Sequence, residues 1–166
     1  MSTTRTLVCI ALLAVLIACA AAQTSNAVCT SEFTWVDNSK GQTPCHVSAY
    51  LATACETHPV VVDALARGGH YAHPAGSNAT ACRCNTVYYS TISACAACHN
   101  ASYTTWTSWK EGCGSPIVAQ FPKDIPQDTA IPAWAFLDVT AVNEFDPIAA
   151  KAFAANDSPS RRLPPQ

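Results

Sequence analysis

Four cysteines are crowded into one stretch of this chain, CRCNTVYYSTISACAACHN, which begins at Cys82. It ends in Cys95-Ala-Ala-Cys98-His99, the spacing at which covalent c-type haem is attached through two thiols, with the histidine as an iron ligand. The four cysteines of the stretch, Cys82, Cys84, Cys95 and Cys98, could together bind zinc, and a Cys-x-x-Cys pair can be redox-active. The stretch therefore admits a haem, a zinc, a redox or a purely structural interpretation.

The spacing of these cysteines favours the structural interpretation. The one-residue gap in Cys82-Arg-Cys84 is tighter than the gaps that usually separate zinc-binding cysteines. A redox-active pair needs a helix N-terminus, where the dipole lowers a thiol pKa, whereas Cys95 and Cys98 fall at the C-terminal end of a predicted helix. No distant methionine or histidine is marked as a second haem ligand. We predict that Cys95 and Cys98 are half-cystines, that His99 ends the helix, and that the protein uses no cofactor.

Other groups that could do chemistry lack a diagnostic arrangement. His70 and His73 lie in a glycine-containing loop without a third ligand at metal-binding spacing. Asp124 and Asp128 lie on a proline-rich segment, and two carboxylates alone do not define a glycosidase pair. No serine stands in a Gly-x-Ser-x-Gly nucleophile motif. The sequence therefore indicates no catalytic residue and no metal ligand, and an enzyme is the least favoured class.

Three aromatic side chains, Tyr103, Trp106 and Trp109, recur at every third residue of a predicted third helix. Rings on one helix face can form a platform for sugar rings, and they can equally close a hydrophobic core. Core packing alone would select this spacing. The platform is therefore the candidate ligand site, and core packing is the competing interpretation.

The N-terminus predicts entry into the secretory pathway. Arg5 precedes an apolar run that closes on three alanines, small residues suited to signal peptidase, so residues 1–22 are predicted to be a cleaved signal peptide. Cleavage removes Cys9 and Cys19 and leaves an even set of cysteines in an oxidising compartment. Four disulfides with open connectivity are expected from the remaining set: Cys29, Cys45, Cys55, Cys82, Cys84, Cys95, Cys98 and Cys113.

Charge and sequons fit a secreted glycoprotein. Only 12% of residues are charged and the net charge is -2, so the chain has neither a basic face for nucleic acid nor an acidic tail. No second apolar run of membrane length follows the leader, so no membrane span is predicted in the mature chain. N-glycosylation sequons begin at Asn78, Asn100 and Asn156. We expect a secreted protein, either extracellular or at the cell surface.

Three helices are predicted to position the cysteines. The first begins at Thr43-Pro44, a cap followed by a proline at the first helical position, and runs through TPCHVSAYLATACE. The second is capped by Asn85 or Thr86 and carries the Cys-x-x-Cys pair at its end. A third covers residues 102–111 and is ended by glycines.

The distribution of cysteines divides the chain. Residues 29–113 are predicted to form a cysteine-rich helical domain, since one apolar core of fewer than about 80 residues supplies little stability without cross-links. Residues 114–155 lack cysteine and repeat proline, so we expect an extended tail packed on the outside of the domain, with a short helix from Asp146-Pro147. Residues 156–166 are predicted to be disordered. The fold class is mainly α, a small disulfide-stapled helical domain with an extended Pro-rich C-terminal tail.

Several ordered pieces of the sequence carry a family resemblance. GQTPCHVSAYL, CRCNTVYYSTISACAACH and IPAWAFLDV, preceded by Trp35 and Asn38, resemble a group of uncharacterised cysteine-rich secreted proteins of mushroom-forming fungi, over about residues 33–150. Members of that group often continue into a Ser/Thr-rich stretch and one membrane-spanning helix. The resemblance implies a fungal origin and an extracellular compartment, and it carries over no catalytic residue.

The cysteine order from Cys82 to Cys113 is similar, more loosely, to the fungal eight-cysteine extracellular domain (CFEM), a helical disulfide fold in which some members bind haem non-covalently. The paired early cysteines of that domain are missing here, and Asp63 does not stand at the spacing of its haem-ligating aspartate. Two functional hypotheses follow. The first is a non-enzymatic surface or matrix protein that binds a cell-wall glycan or another extracellular protein; the second is a small-ligand or haem carrier.

Overall fold

The computed structural model of the protein describes residues 24–156. The predicted signal peptide lies outside the described residues, and so does the predicted disordered end apart from Asn156, which closes a helix. The α-helices of the described part are α1 (Pro44–Thr53), α2 (Thr86–Cys98), α3 (Trp106–Trp109) and α4 (Pro147–Asn156). Short 3-10 helices cover Ser31–Val36, Gly76–Asn78, Lys110–Gly112 and Ala133–Phe136.

The mainly helical fold class is confirmed. No strand forms within residues 24–156, where only two isolated bridges occur, between Ser25 and Val62 and between Asn85 and Ile117. In the same part of the chain, no helix is both long and apolar enough to cross a membrane.

The first two helices begin at the predicted caps. Thr43 accepts a hydrogen bond from the His46 backbone N–H at 3.4 Å, and Pro44 occupies the first helical position. Asn85 is fully buried, and its Oδ1 accepts from the Tyr88 N–H at 2.7 Å. Because each cap satisfies an N–H that the helix itself leaves unpaired, these short local signals fix both helix starts.

The third helix is shorter than predicted. The Thr105 hydroxyl accepts from the Ser108 N–H at 3.3 Å, so α3 begins only at Trp106, and the chain tightens into a 3-10 turn after Trp109. Before the helix, the Ser102 N–H donates to the Gly69 carbonyl at 2.8 Å. The predicted start at residue 102 is therefore wrong, because a tertiary hydrogen bond holds that segment extended.

Helix α2 is the centre of the molecule. Every residue from Thr86 to Cys98 except Ala97 is buried. A helix covered on all faces belongs to the core rather than to the surface. Helix α1 packs on one side of α2, while α3 and the 3-10 helix Ala133–Phe136 pack elsewhere along it.

Four disulfides connect the loops to α2. They confirm the prediction that all eight cysteines are paired, whose connectivity the sequence left open. Two bridges leave the C-terminal end of α2 for different segments, and the other two fix the turn before α2. The pairs are Cys29–Cys98, Cys45–Cys95, Cys55–Cys82 and Cys84–Cys113. Neither Cys82 nor Cys84 pairs with the other, as the short spacing between them predicts.

The cysteine-free tail lies deeper than predicted. Phe121, Trp134 and Phe145 belong to the same buried cluster as the helices. The ring of Trp134 lies 5.7 Å from that of Phe145 and 6.2 Å from that of Trp35, measured between centroids. The tail therefore supplies part of the core, and residue 113 marks a change in cysteine content rather than the edge of the hydrophobic cluster.

The tail ends in the predicted short helix. Asp146 Oδ1 accepts from the Ile148 N–H at 2.8 Å and from the Ala149 N–H at 3.0 Å, and Pro147 takes the first helical position. This cap, with its proline, is the same local signal that starts α1.

Candidate functional site

A cleft of about 360 Å³ opens beside α2, between two stretches of the loop that joins α1 to α2. Residues 60–65 form one wall and residues 71–74 the other, and we call the space the 60–74 cleft. Tyr88, Ile92 and Trp109 line its floor. Its volume falls in the lower part of the range for small-ligand pockets, about 300–1,000 Å³.

The first wall is tied to the N-terminal segment and to the end of α2. The Val62 N–H donates to the Thr24 carbonyl at 3.1 Å, and the Ala64 N–H donates to Asn26 Oδ1 at 2.6 Å. The Leu65 N–H donates to His99 Nε2 at 3.2 Å. These bonds hold an extended segment that no sheet supports.

The second wall is fixed by one hydroxyl and one glycine. The Tyr71 hydroxyl donates to the Asp63 carbonyl at 2.8 Å and so joins the two walls. A Cβ placed on Gly112 would lie 1.9 Å from the Pro74 carbonyl oxygen. Only glycine at position 112 therefore allows the turn after α3 to pack against the backbone of Pro74 in this wall.

The polar groups at the cleft include charges of both signs. Asp63 and His73 are exposed wall residues, and the Arg83 guanidinium lies 3.6 Å from Glu56 Oε1 with both side chains 19% exposed. The Nε of Arg83 is buried and has no hydrogen-bond partner. Arg83 therefore retains a donor that its ion pair does not satisfy, in a residue that lines the cleft.

The tyrosines of the cleft are neutral hydroxyl groups over the physiological range. Burial raises the pKa of Tyr88 to about 12, although the Arg83 charge opposes the shift. Burial is also the main cause that raises the pKa of Tyr71 far above its usual range. Both side chains therefore serve the cleft as neutral phenols and not as bases.

The candidate aromatic platform is not an exposed surface. Trp106 and Trp109 are only 3% and 4% exposed, and their ring centroids lie 5.4 Å and 5.9 Å from that of Tyr89. Tyr103 precedes α3 and packs its ring 5.8 Å from that of Phe145. The three rings therefore do not form an exposed platform. Both tryptophans are core residues, and Trp109 alone of the three reaches the 60–74 cleft.

The histidines and carboxylates singled out in the sequence separate in space. His73 lines the cleft whereas His70 does not. Asp124 and Asp128 are exposed tail residues away from the cleft. The sequon residue Asn78 lines the cleft, Asn100 is exposed just after α2, and Asn156 ends α4.

The Cys-x-x-Cys-His stretch is structural. Cys95 and Cys98 are half-cystines, and His99 is the C-cap of α2, as predicted. Sulfurs held in disulfides provide neither the thiols that attach haem nor the thiolates that bind zinc. His99 does more than end the helix, because its Nε2 accepts the hydrogen bond from Leu65 that anchors a cleft wall.

The sequence reasoning missed Asp63 and Arg83 as site residues. Arg83 stands between Cys82 and Cys84, and a charged residue flanked by two half-cystines has a backbone fixed from both sides. That spacing could have marked Arg83 as a positioned side chain. No comparable sequence pattern marked Asp63, because its place in the wall depends on tertiary hydrogen bonds.

Comparison with protein-family models, with curated proteins and with solved structures finds no match to this chain.

Proposed function

We propose that this is a secreted, non-enzymatic surface or matrix protein that holds a short stretch of cell-wall glycan in the 60–74 cleft. The observation that carries the proposal is the combination of an apolar and aromatic floor with polar walls in a cavity of about 360 Å³. Small-ligand sites commonly combine such a lining with a few placed polar groups. A sugar ring offers C–H surfaces to the floor and hydroxyl groups to the walls.

The mixed charge at the cleft fits hydroxyl groups better than a charged ligand. A hydroxyl both donates and accepts, so it can pair with a carboxylate such as Asp63 and with a guanidinium such as Arg83. The Arg83 side chain is 19% exposed and lines the cleft, so its guanidinium can offer donors to a sugar oxygen. An anionic or cationic ligand would meet one favourable and one unfavourable charge.

Binding without catalysis is supported by the carboxylates. Glycoside hydrolysis generally uses two carboxyl groups about 5–9.5 Å apart on either side of the scissile bond. Among the described residues that line the cleft, Asp63 is the only acidic one. A glycan held here would have a single carboxylate beside it.

Secretion and a fungal origin are part of the proposal. The four disulfides are compatible with an oxidising extracellular compartment. The apolar N-terminal run, the sequons and the resemblance to secreted fungal proteins support the same assignment.

The test is a calorimetric titration of the unreduced protein with soluble β-glucan and chitin oligosaccharides. Asp63→Ala and His73→Ala should each weaken binding about tenfold, the effect of losing a hydrogen bond of about 1.4 kcal/mol. The matched controls are Asp124→Ala and His58→Ala, which change exposed residues outside the cleft and should leave affinity unchanged. Equal losses in all four variants, or no binding of any oligosaccharide, would overturn the proposal.

A second candidate, carriage of a small ligand, is favoured by a different cavity. A pocket of about 150 Å³ lies between α4 and the 3-10 helix Ala133–Phe136, and two of its lining residues, Ser90 and Trp134, have buried polar atoms without partners. The volume is below the usual range for drug-sized ligands, so the occupant would be much smaller than haem. Thermal shifts with small neutral alcohols and ketones test it. Stabilisation that Ser90→Ala abolishes would support a carrier that uses this pocket. A shift of the haem Soret band without such stabilisation would contradict it, because haem is too large for a pocket of this volume.

A further inference from the structure

Two of the four disulfides lie side by side at the end of α2. Although Cys45 is bonded to Cys95, its Sγ shares a cluster with the sulfurs of the neighbouring bridge, Cys29 and Cys98, in which all three atoms lie within 4.8 Å of one another. Neither Cys55–Cys82 nor Cys84–Cys113 has a third cysteine in such a cluster among residues 24–156. Thiol–disulfide exchange needs a sulfur within reach of another bridge, so this pair alone meets the first requirement.

Hydrogen-bonding groups surround the sulfur of Cys95. The Tyr71 hydroxyl oxygen lies 3.2 Å from Cys95 Sγ while its proton serves the Asp63 carbonyl. A ring nitrogen of His99 lies within 4.8 Å of both Cys45 and Cys95 Sγ. The Tyr71 hydroxyl and the His99 ring are therefore already close to the sulfur that would leave.

The His99 ring has an unused donor. Its Nε2 accepts from the Leu65 N–H, so in the neutral ring the proton is assigned to Nδ1. That Nδ1 is buried and has no hydrogen-bond partner. A disulfide sulfur accepts weakly, whereas a thiolate accepts strongly, so release of a thiolate nearby would satisfy this donor.

We propose that these two disulfides form an exchange pair in which Cys45 transfers from Cys95 to Cys98. A small thiol opens the pair by attacking Cys29, the partly exposed member; a mixed disulfide forms on Cys29 and the electron pair leaves on Cys98. The Cys98 thiolate attacks Cys45 Sγ, the Cys45–Cys98 bond forms, and the Cys45–Cys95 bond breaks with its electron pair on Cys95. This second step conserves the number of disulfides.

The buried position of the second bridge makes the exchange internal. Cys45 and Cys95 are both 0% exposed, so an external thiol reaches them only through Cys98. The Cys95 thiolate then accepts a hydrogen bond from the Tyr71 O–H and is finally protonated from solvent. Because Tyr71 also joins the two cleft walls, its turn toward Cys95 removes that bond.

The first test is Cys29→Ser, which leaves Cys98 without its partner. The purified, unreduced variant is quenched in acid, denatured, alkylated with N-ethylmaleimide and mapped by peptide mass spectrometry. Exchange puts the label on Cys95 and yields a Cys45–Cys98 bridge. In the matched control Cys113→Ser, the label stays on Cys84. Label on Cys98 with Cys45–Cys95 intact would refute the proposal.

The second test keeps the native sequence, so it holds even where Cys29→Ser fails to fold. Wild-type protein is treated briefly with limiting monothiol, and molecules that have lost one bridge are trapped and mapped. Label or thiol adduct on Cys29 together with label on Cys95 supports exchange, whereas Cys29 together with Cys98 contradicts it. Adding Tyr71→Phe should shift the ratio of Cys95 to Cys98 label about tenfold toward Cys98, the value of one hydrogen bond to a charged group. An unchanged ratio would remove Tyr71 from the mechanism.

Discussion

Replacement of Asn85 by alanine should destabilise the protein more than any other change of a helix cap. Asn85 is fully buried and makes three hydrogen bonds: Oδ1 accepts from the Tyr88 N–H at 2.7 Å, and Nδ2 donates to the Ala81 and Cys82 carbonyls at 2.9 and 3.0 Å. Loss of a cap costs about 1 kcal/mol, and the buried Cys82 carbonyl left unpaired adds about 1–3 kcal/mol, whereas the Ala81 carbonyl belongs to an exposed residue. We expect a loss of about 2–4 kcal/mol in the free energy of unfolding.

The assay is urea denaturation of the unreduced protein, monitored by tryptophan fluorescence. Thr105→Ala is the matched control, because that cap is exposed and makes a single side-chain hydrogen bond of 3.3 Å to the helix N–H groups. It should cost no more than about 1 kcal/mol. Equal costs for the two variants would refute the reasoning. The turn before α2, which places Arg83 at the cleft, would then be held by its two disulfides and not by Asn85.

Three further predictions concern the glycine, the tyrosines and the sequons. Gly112→Ala should cost about 1–3 kcal/mol in thermal unfolding, because its Cβ would meet the Pro74 backbone, whereas Gly114→Ala, with nothing within 4 Å, should be nearly neutral. Burial raises the pKa of both Tyr88 and Tyr89 to about 12, so the free energy of unfolding should fall as the pH rises from 10 to 12, since the unfolded chain loses protons that the folded chain retains. Absorbance at 295 nm should show two phenols that ionise near pH 12 in the folded protein; ionisation of all tyrosines near pH 10 would contradict this. Glycosidase treatment should lower the mass of secreted protein by two N-glycans, at Asn78 and Asn100.

Local signals predicted the helices well because their cause is local. Each cap is one side chain that satisfies an N–H two or three residues away, as at Thr43, Asn85 and Asp146. The start of α3 escaped prediction because Ser102 pairs with Gly69, a residue more than thirty positions earlier. A periodic pattern carries no information about such a contact.

Tertiary placement explains the rest of the differences. The cysteine count predicted four disulfides, but their pairing depends on which segments meet beside α2. The spacing of Trp106 and Trp109 fits a sugar platform and a core equally, and only their burial decides between the two. The 60–74 cleft was invisible in the sequence because its walls are loop segments, held by bonds such as Tyr71 to Asp63 and by the close approach at Gly112.

The claim that the 60–74 cleft binds glycan is tested most directly by chemical-shift mapping of the ¹⁵N-labelled, unreduced protein with β-glucan and chitin oligosaccharides. Saturable shifts should cluster in residues 60–65 and 71–74 and at the Arg83 side chain. Shifts confined to the surroundings of Trp134, or the absence of shifts with every oligosaccharide, would contradict the claim.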